Sequence, residues 1–228
     1  MNRFIVAAAL FIAALAVAHV GTNAPIFANA TQEIFFTVGH GKDNADTSSV
    51  RIQIPAGVTA VRAANSDFGK PVIERGANGE VSAVTWTKPD ADLLETDYGY
   101  YKLALRVRTP NAPFTTLNFL TTQTAKFTDG GTTQYKWFAT TPAEIDLDAG
   151  IEEAPAVRLL PARRPGWNKY TVPAAITNLS QWFGDAAIVW KGTAAYSANA
   201  ETMNQINMTS GVSALSMLSA NDEIWVKY

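Results

Sequence analysis

The chain of 228 residues contains no cysteine and only two histidines, His19 and His40. Without cysteine it can form no disulfide, offer no thiolate as ligand or nucleophile and carry no lipid anchor on sulfur. Two histidines are too few for a multi-histidine metal site or a histidine-rich metal store. The 18 Lys and Arg residues nearly balance 20 Asp and Glu residues, which excludes the sustained basic surface typical of nucleic-acid-binding proteins.

The sequence also lacks the motifs of the common enzyme classes. It contains no G-x-S-x-G nucleophile turn, no G-x-G-x-x-G dinucleotide loop and no Walker sequence. The paired acids Glu152 and Glu153 lie in a proline-rich stretch, where charged side chains are expected to face solvent. We therefore predict a protein that is not an enzyme.

The one long hydrophobic run lies at the beginning of the chain. Arg3 precedes an uncharged run over residues 4–18, which ends in the A-x-A sequence Ala16-Val17-Ala18. This order of features is typical of a cleaved export signal, and the run is short for a membrane-spanning helix. We predict a signal peptide over residues 1–18, a periplasmic or secreted product without a membrane span, and a mature chain that begins at His19. Cleavage after Ala28 or Ala30 is the alternative.

Residues 19–140 show the pattern of a mainly β protein. Short runs rich in β-branched and aromatic residues recur every 8–15 residues, and several alternate apolar with polar side chains. The predicted strands are residues 33–38, 49–54, 58–63, 71–74, 80–87, 100–108, 114–122 and 134–139. This spacing predicts an immunoglobulin-like antiparallel β-sandwich.

The composition changes after residue 140. Residues 141–166 contain four prolines and two acidic stretches, so we interpret them as a linker that lies along the sandwich. Residues 167–228 are predicted to form a small, aromatic-rich α+β unit. Its predicted strands are residues 167–172, 186–190 and 222–228, and its predicted helices are residues 176–183, 200–207 and 212–218.

Six short motifs follow one another along the sandwich, at residues 36–41, 50–58, 84–86, 103–110, 123–125 and 129–137. Together they resemble the exported YcnI-like copper-binding family. The family's V-P-H-G-C strand end is matched by residues 36–41, and its V-x-V-x-x-P-x-G-V strand and turn by residues 50–58. Further matches follow in the same order: V-x-W at residues 84–86, a strand ending in proline at residues 103–110, Q-T-C at residues 123–125, and D-G with a following tryptophan at Asp129, Gly130 and Trp137. The resemblance covers about residues 19–140.

The resemblance implies a Cu(II) site built on the histidine that begins the mature chain. In such a single-histidine brace the α-amine and imidazole of His19 would bind the metal, a carboxylate would complete the site and Trp137 would lie close to it. Asp97 occupies a position that is often acidic in the family, and Glu33 and Glu95 are alternative carboxylates. The implied role is copper trafficking or homeostasis, with a copper-delivery protein as a possible partner. Copper-dependent oxidative chemistry is the minor alternative, since one histidine and a carboxylate form a poorer redox ligand set than two histidines.

The chemistry of the N-terminus agrees with this implication. The α-amine and the Nδ1 atom of one histidine form a chelate ring, and nitrogen donors in this arrangement suit Cu(II). His40, between two glycines at a strand end, is a second possible ligand, although a turn histidine bonded to the backbone is the more ordinary role. Trp137 is equally a candidate core residue.

The sequence departs from the family pattern at three positions. Gly39 stands where proline is usual, and Lys42 and Ala125 stand where many members have cysteine. The resemblance therefore implies that a disulfide present elsewhere in the family has been lost here.

The aromatic C-terminal unit supports an alternative function. Trp167, Trp182, Trp190 and Trp225 together with Tyr170, Tyr196 and Tyr228 could form a recognition surface for a carbohydrate or a protein. A small unit also needs large aromatic residues for its own core. Recognition predicts exposed rings, whereas a core role predicts buried rings in mutual contact.

Overall fold

The computed structural model describes residues 20–23, 25–39, 45–94 and 99–228. The predicted export signal lies outside the described residues. The first part of the chain contains strands β1 (Val20–Thr22), β2 (Ile26–Phe27), β3 (Thr31–Val38), β4 (Asp46–Gln53), β5 (Thr59–Ala63), β6 (Val72–Arg75), β7 (Val81–Thr87), β8 (Tyr101–Arg108), β9 (Thr115–Asn118), β10 (Thr121–Lys126), β11 (Thr132–Ala139), β12 (Ile151–Glu153) and β13 (Ala156–Leu160).

These strands form a sandwich with three sheets. One sheet has the order β1-β3-β8-β5, the second has the order β12-β11-β10-β4-β7-β6, and a small third sheet has the order β2-β13-β9. The long neighbours pair antiparallel, as β3 with β8 and β4 with both β7 and β10 show. The predicted mainly β, immunoglobulin-like sandwich is confirmed.

Alternation of side chains explains how these strands build one core. Along β8, residues Tyr101, Leu103, Leu105 and Val107 are buried, and the residues between them face outward. Because successive side chains of a strand point to opposite faces, each such strand contributes one apolar row. The rows of the three sheets meet in a single cluster that includes Phe36, Trp86, Phe119 and Leu159.

Two sequence predictions in this part need correction. The single strand predicted over residues 114–122 is two strands in different sheets, because β9 joins the third sheet and β10 joins the second. The predicted linker of residues 141–166 contains β12 and β13. Strand β12 pairs parallel with β11, and β13 pairs with both β2 and β9. These strands lack a clear alternation in the sequence, and tertiary pairing determines their conformation.

The C-terminal unit combines a sheet with two helices. Its elements are β14 (Trp167–Thr171), α1 (Leu179–Phe183), β15 (Ile188–Lys191), β16 (Ala194–Tyr196), α2 (Ala200–Met208), β17 (Ser213–Ala214) and β18 (Glu223–Lys227). The sheet order is β14-β18-β15-β16-β17. Helix α1, which lies within the helix predicted over residues 176–183, begins after Asn178, whose side chain caps it by accepting a hydrogen bond from the Gln181 amide.

The helix predicted over residues 212–218 is absent from the structure. Residues 213–214 instead form β17, which pairs parallel with β16. The amide of Leu215 donates to the carbonyl of Ala195, which extends this pairing by one residue. The apolar residues at 212, 215 and 218 have helical spacing, but backbone pairing with β16 prevails over that local pattern.

The two parts of the chain share a packed boundary. Phe114, in the segment between β8 and β9, is buried in the core of the C-terminal unit beside Val172, Phe183 and Ile224. Its ring centroid lies 5.7 Å from those of both Tyr170 and Phe183. Arg163 adds a second contact, because its guanidinium lies over the rings of both Phe27 and Tyr228. The C-terminal unit is therefore anchored to the sandwich by an inserted aromatic side chain.

Candidate functional site

Four candidate metal ligands from the sequence lie outside the described residues: His19, His40, Glu95 and Asp97. Lys42, one of the two positions of the implied lost disulfide, lies outside them as well. The described residues that flank them nevertheless converge. Val20 pairs with Val38, and Val38 in turn pairs with Tyr101. The Tyr101 hydroxyl donates a hydrogen bond to Asp46 Oδ1 over 2.7 Å. We call this region, defined by Val20, Val38, Asp46 and Tyr101, the Tyr101 end of the sandwich.

The segment that precedes residue 95 reaches the same place. The backbone amide of Leu94 donates to Asp46 Oδ2 over 2.9 Å, and Tyr101 begins β8 shortly after residue 98. Val20 directly follows His19 in the chain. Three described residues therefore lie at the Tyr101 end: Leu94 before Asp97, Tyr101 after it, and Val20 directly after His19.

Glu33 lies elsewhere on the sandwich. It is exposed on β3 and pairs with Arg106, whereas Val38 of the same strand pairs with Tyr101. Five residues separate Glu33 from Val38, or roughly 17 Å along an extended strand. The structure therefore does not bring Glu33 to the Tyr101 end.

Trp137 is a core residue. Only 1% of it is exposed, and it belongs to the central cluster of the sandwich. On β10, Thr121 pairs with Trp137, whereas Lys126 pairs with both Asp46 and Thr132. Thr132, at the beginning of β11, is therefore the residue of that strand nearest Asp46, and Trp137 lies five residues further along. Its position agrees with the core interpretation of this residue, and the structure does not bring it to the Tyr101 end.

A buried polar cluster that the sequence did not indicate occupies the Tyr101 end. Lys88 Nζ lies 2.6 Å from Asp46 Oδ2, and the two side chains are 3% and 0% exposed. Lys88 Nζ also donates to the Tyr101 hydroxyl. The ammonium lies 4.0 Å from the centre of the Tyr101 ring and 5.4 Å from that of Phe68.

The Asp46 carboxylate at the centre of this cluster is fully satisfied. Besides Lys88 and Tyr101, it accepts hydrogen bonds from the backbone amides of Thr47 and Leu94. A buried charge is tolerated only when it is paired and hydrogen-bonded in this way. Burial, and next the hydrogen bond to Asp46, raise the pKa of Tyr101 above its ordinary value, so its hydroxyl remains a donor.

The Asp46–Lys88–Tyr101 cluster connects the two large sheets. Asp46 begins β4 and Lys88 directly follows β7, both in the six-stranded sheet, whereas Tyr101 begins β8 in the four-stranded sheet. Asp46 is 42 residues from Lys88, and Lys88 is 13 residues from Tyr101. No local spacing in the sequence could have indicated this association. Its geometry suits a rigid support for the loops at this end.

The described part of the chain holds no group of three or more His, Asp or Glu side chains arranged to bind a metal. A metal site at the Tyr101 end would therefore depend on residues of the segments that contain His19 and Asp97. Among the described residues, no helix is long and apolar enough to cross a membrane.

The aromatic residues of the C-terminal unit divide into two groups. Four of them pack against its core: Tyr170, Trp182, Tyr196 and Tyr228. Trp167 and Trp225 are instead 51% and 50% exposed, and with Trp190 and Gly192 they line a shallow groove of about 450 Å³. The core interpretation therefore holds for the first group, and the second group has the exposure that recognition predicts.

Comparison with protein families identifies the first part of the chain. Residues 19–160 match the family described as a domain of unknown function, DUF1775. This chain belongs to the DUF1775 family. The match confirms the resemblance to YcnI-like proteins stated above, and it extends beyond residue 140 to include β12 and β13. The DUF1775 region thus contains all three sheets of the sandwich.

Two solved structures illustrate the similarity of fold. An uncharacterized protein from Nocardia farcinica with an immunoglobulin-like fold is 20% identical, with a TM-score of 0.49 over 62% of this chain and 98% of that one. A cohesin module from a family 33 glycoside hydrolase of Clostridium perfringens is 13% identical, with a TM-score of 0.35 over 64% of this chain and 96% of that one. No curated protein matches this chain.

Proposed function

We propose that this DUF1775 protein is exported and binds one Cu(II) ion through a mature N-terminus that begins at His19. The observation that carries the proposal is a coincidence of two boundaries. The A-x-A sequence at residues 16–18 predicts cleavage directly before His19, and the match to the family begins at the same residue. One of only two histidines in the chain would then carry a free α-amine.

The donor set explains the choice of metal. An α-amine and an imidazole from one residue supply two nitrogen ligands without ordering a second side chain. Among divalent ions of the first transition row, Cu(II) binds such ligands most tightly and accepts tetragonal geometry with nitrogen and oxygen donors. Copper is the cargo in this proposal, and a role in copper trafficking follows from the YcnI-like resemblance.

The positions of the described residues favour Asp97 over Glu33 as the carboxylate ligand. Val20, Leu94 and Tyr101, which flank His19 and Asp97 in the chain, all lie at the Tyr101 end. Glu33 is roughly 17 Å away along β3. Glu95 lies in the same segment as Asp97 and remains an alternative. Trp137 lies in the core, so we assign it to packing.

The buried Asp46–Lys88–Tyr101 cluster gives this end of the sandwich a rigid base. It fixes the start of β4, the residue after β7 and the start of β8 relative to one another. Preorganised surroundings hold metal ligands in place and reduce the cost of ordering them when the metal binds.

Two measurements test this proposal. Intact mass of the exported protein should correspond to a chain that begins at His19, and any other start removes the amine from the site. Cu(II) titration should then show weaker binding for Asp97→Asn and unchanged binding for Glu33→Gln. Equal affinity of the Asp97→Asn variant and the unmodified protein would transfer the ligand role to Glu95 or exclude a carboxylate ligand.

A further inference from the structure

The outer face of the C-terminal sheet carries three tryptophans on three adjacent strands. Trp167 lies on β14, Trp225 on β18 and Trp190 on β15, and β18 lies between the other two strands. We call these three residues the tryptophan face. Val189, Ile224 and Val226 point to the opposite side of the same sheet and form the core. Because successive side chains of a strand point to opposite faces, the three tryptophans lie on the outer face of the sheet.

The strand register places the three indole rings close together. Trp225 pairs directly with Trp190, and residues opposed in this way have Cβ atoms about 5 Å apart. Trp167 pairs with Lys227, so it is the diagonal neighbour of Trp225, at about 7–8 Å. The three side chains form a band about 10 Å wide across two strand spacings.

The backbone under the tryptophan face is held on both sides. Strand β18 pairs with β14 over five residues and with β15 over three residues. Backbone hydrogen bonds between Gly166, directly before β14, and Tyr228, directly after β18, extend this pairing by one residue. Side chains on such a sheet are preorganised, which lowers the entropic cost of binding a ligand.

Polar side chains surround and interrupt the tryptophan face. Lys169 pairs in register with Trp225 and forms an ion pair with Glu223 over 2.8 Å. Lys227 lies opposite Trp167 and Ile188. The rim thus offers hydrogen-bond donors and acceptors of both charges next to flat aromatic surfaces.

The size and charge of the tryptophan face disfavour two kinds of occupant. Three partly exposed indoles offer roughly 300 Å² of apolar surface, whereas a stable protein interface needs about 800 Å² from each partner. An anionic membrane would favour a uniformly basic rim, but Glu223 neutralises Lys169.

We propose that the tryptophan face binds a glycan chain of β-1,4-linked pyranoses with equatorial hydroxyl groups. Such sugar rings have flat faces of C–H bonds that stack on indole, while their hydroxyls at the ring edges reach polar side chains. An open, shallow groove suffices for this contact because one side of the chain stays in water. The inference is independent of the copper site, which lies in the sandwich.

Binding of cellohexaose and of chitohexaose, followed by isothermal titration calorimetry, tests this proposal on the protein that begins at His19. We expect binding to at least one of the two sugars, and the comparison between them shows which substituent at C2 is accepted. Trp225→Ala should weaken that binding at least about tenfold, since Trp225 is the middle ring of the band. Met217→Ala removes a side chain that is also 50% exposed and lies outside the groove, so it should bind like the unmodified protein.

Several outcomes would overturn the glycan proposal. One is no binding of either sugar, and another is equal binding by the Trp225→Ala variant. If neither sugar binds, two other occupants can be tested. Binding to phosphatidylglycerol vesicles that Trp225→Ala abolishes would assign the face to a membrane. Dimerisation, measured by light scattering, that Trp225→Ala abolishes would assign it to a second copy of the chain. Cu(II) binding should be unchanged by Trp225→Ala, so failure here is distinguishable from failure of the copper proposal.

Discussion

Lys88 and Asp46 form an ion pair in the interior of the sandwich. Lys88 Nζ lies 2.6 Å from Asp46 Oδ2, and both side chains are buried. Tyr101 completes the cluster from the opposite sheet. Ala125, where the family resemblance implies a lost cysteine, pairs with Thr47 directly beside Asp46. A chain without disulfides therefore has a polar connection between its two large sheets near that position.

Removal of Lys88 should destabilise the protein strongly. Lys88→Met leaves the Asp46 carboxylate buried without its cation, which typically costs about 3–5 kcal/mol. Urea unfolding measures the loss of free energy. Lys126→Met is a matched control, since Lys126 pairs with the largely exposed Asp90, and it should cost at most about 1 kcal/mol. Equal losses for the two variants would show that the buried pair has no special importance.

Tyr101 should make the protein sensitive to alkaline pH. Its pKa is raised by burial and by Asp46, so the folded protein keeps the proton that the unfolded chain releases near its ordinary pKa of about 10. This contribution to stability is complete below pH ~10 and is lost as the pH rises toward the folded-state value. Tyr101→Phe should lower stability near neutral pH by about 1–3 kcal/mol and reduce its decline at higher pH.

Urea unfolding at several alkaline pH values measures this dependence for both proteins. Burial, and next the neighbouring Tyr170, also raise the pKa of Tyr228, so Tyr228→Phe should remove a separate part of the decline. If the free energy of unfolding falls equally steeply with pH in Tyr101→Phe and in the unmodified protein, Tyr101 is not the source of the alkaline sensitivity.

Phe114 should couple the unfolding of the two parts of the chain. Its side chain is 5% exposed and packs in the core of the C-terminal unit, although its backbone belongs to the sandwich. Phe114→Ala should cost about 3–5 kcal/mol and separate thermal unfolding into two transitions. Phe127→Ala, on the sandwich core, should retain one transition. A single transition in Phe114→Ala would contradict the coupling.

The sequence predicted the fold where local pattern determines structure. The alternation in residues 100–108 predicted β8, and the helix predicted over residues 176–183 contains α1. Strands β12 and β13 were missed because they are short and depend on pairing with distant strands. For the same reason the helix predicted over residues 212–218 is wrong: residues 213–214 pair with β16.

The candidate sites were predictable to different degrees. Motif order and the cleavage sequence alone could indicate His19, but the structure was needed to place Glu33 on β3 away from the Tyr101 end and Trp137 in the core. The Asp46–Lys88–Tyr101 cluster joins residues far apart in the chain, so no local signal could reveal it. The composition indicated aromatic enrichment after residue 166, and only strand register separated Trp167, Trp190 and Trp225 from the aromatic residues of the core.

The most direct test of the copper proposal compares two proteins that differ only at the N-terminus. One begins at His19, and the other carries one additional alanine before His19, which moves the free amine away from the imidazole. Competition titration with a Cu(II) chelator should show much tighter binding for the first protein. Its affinity should also fall in acid, since the amine, with a reference pKa of about 7.7, must lose its proton to bind. Equal Cu(II) affinity of the two proteins would contradict the proposed site.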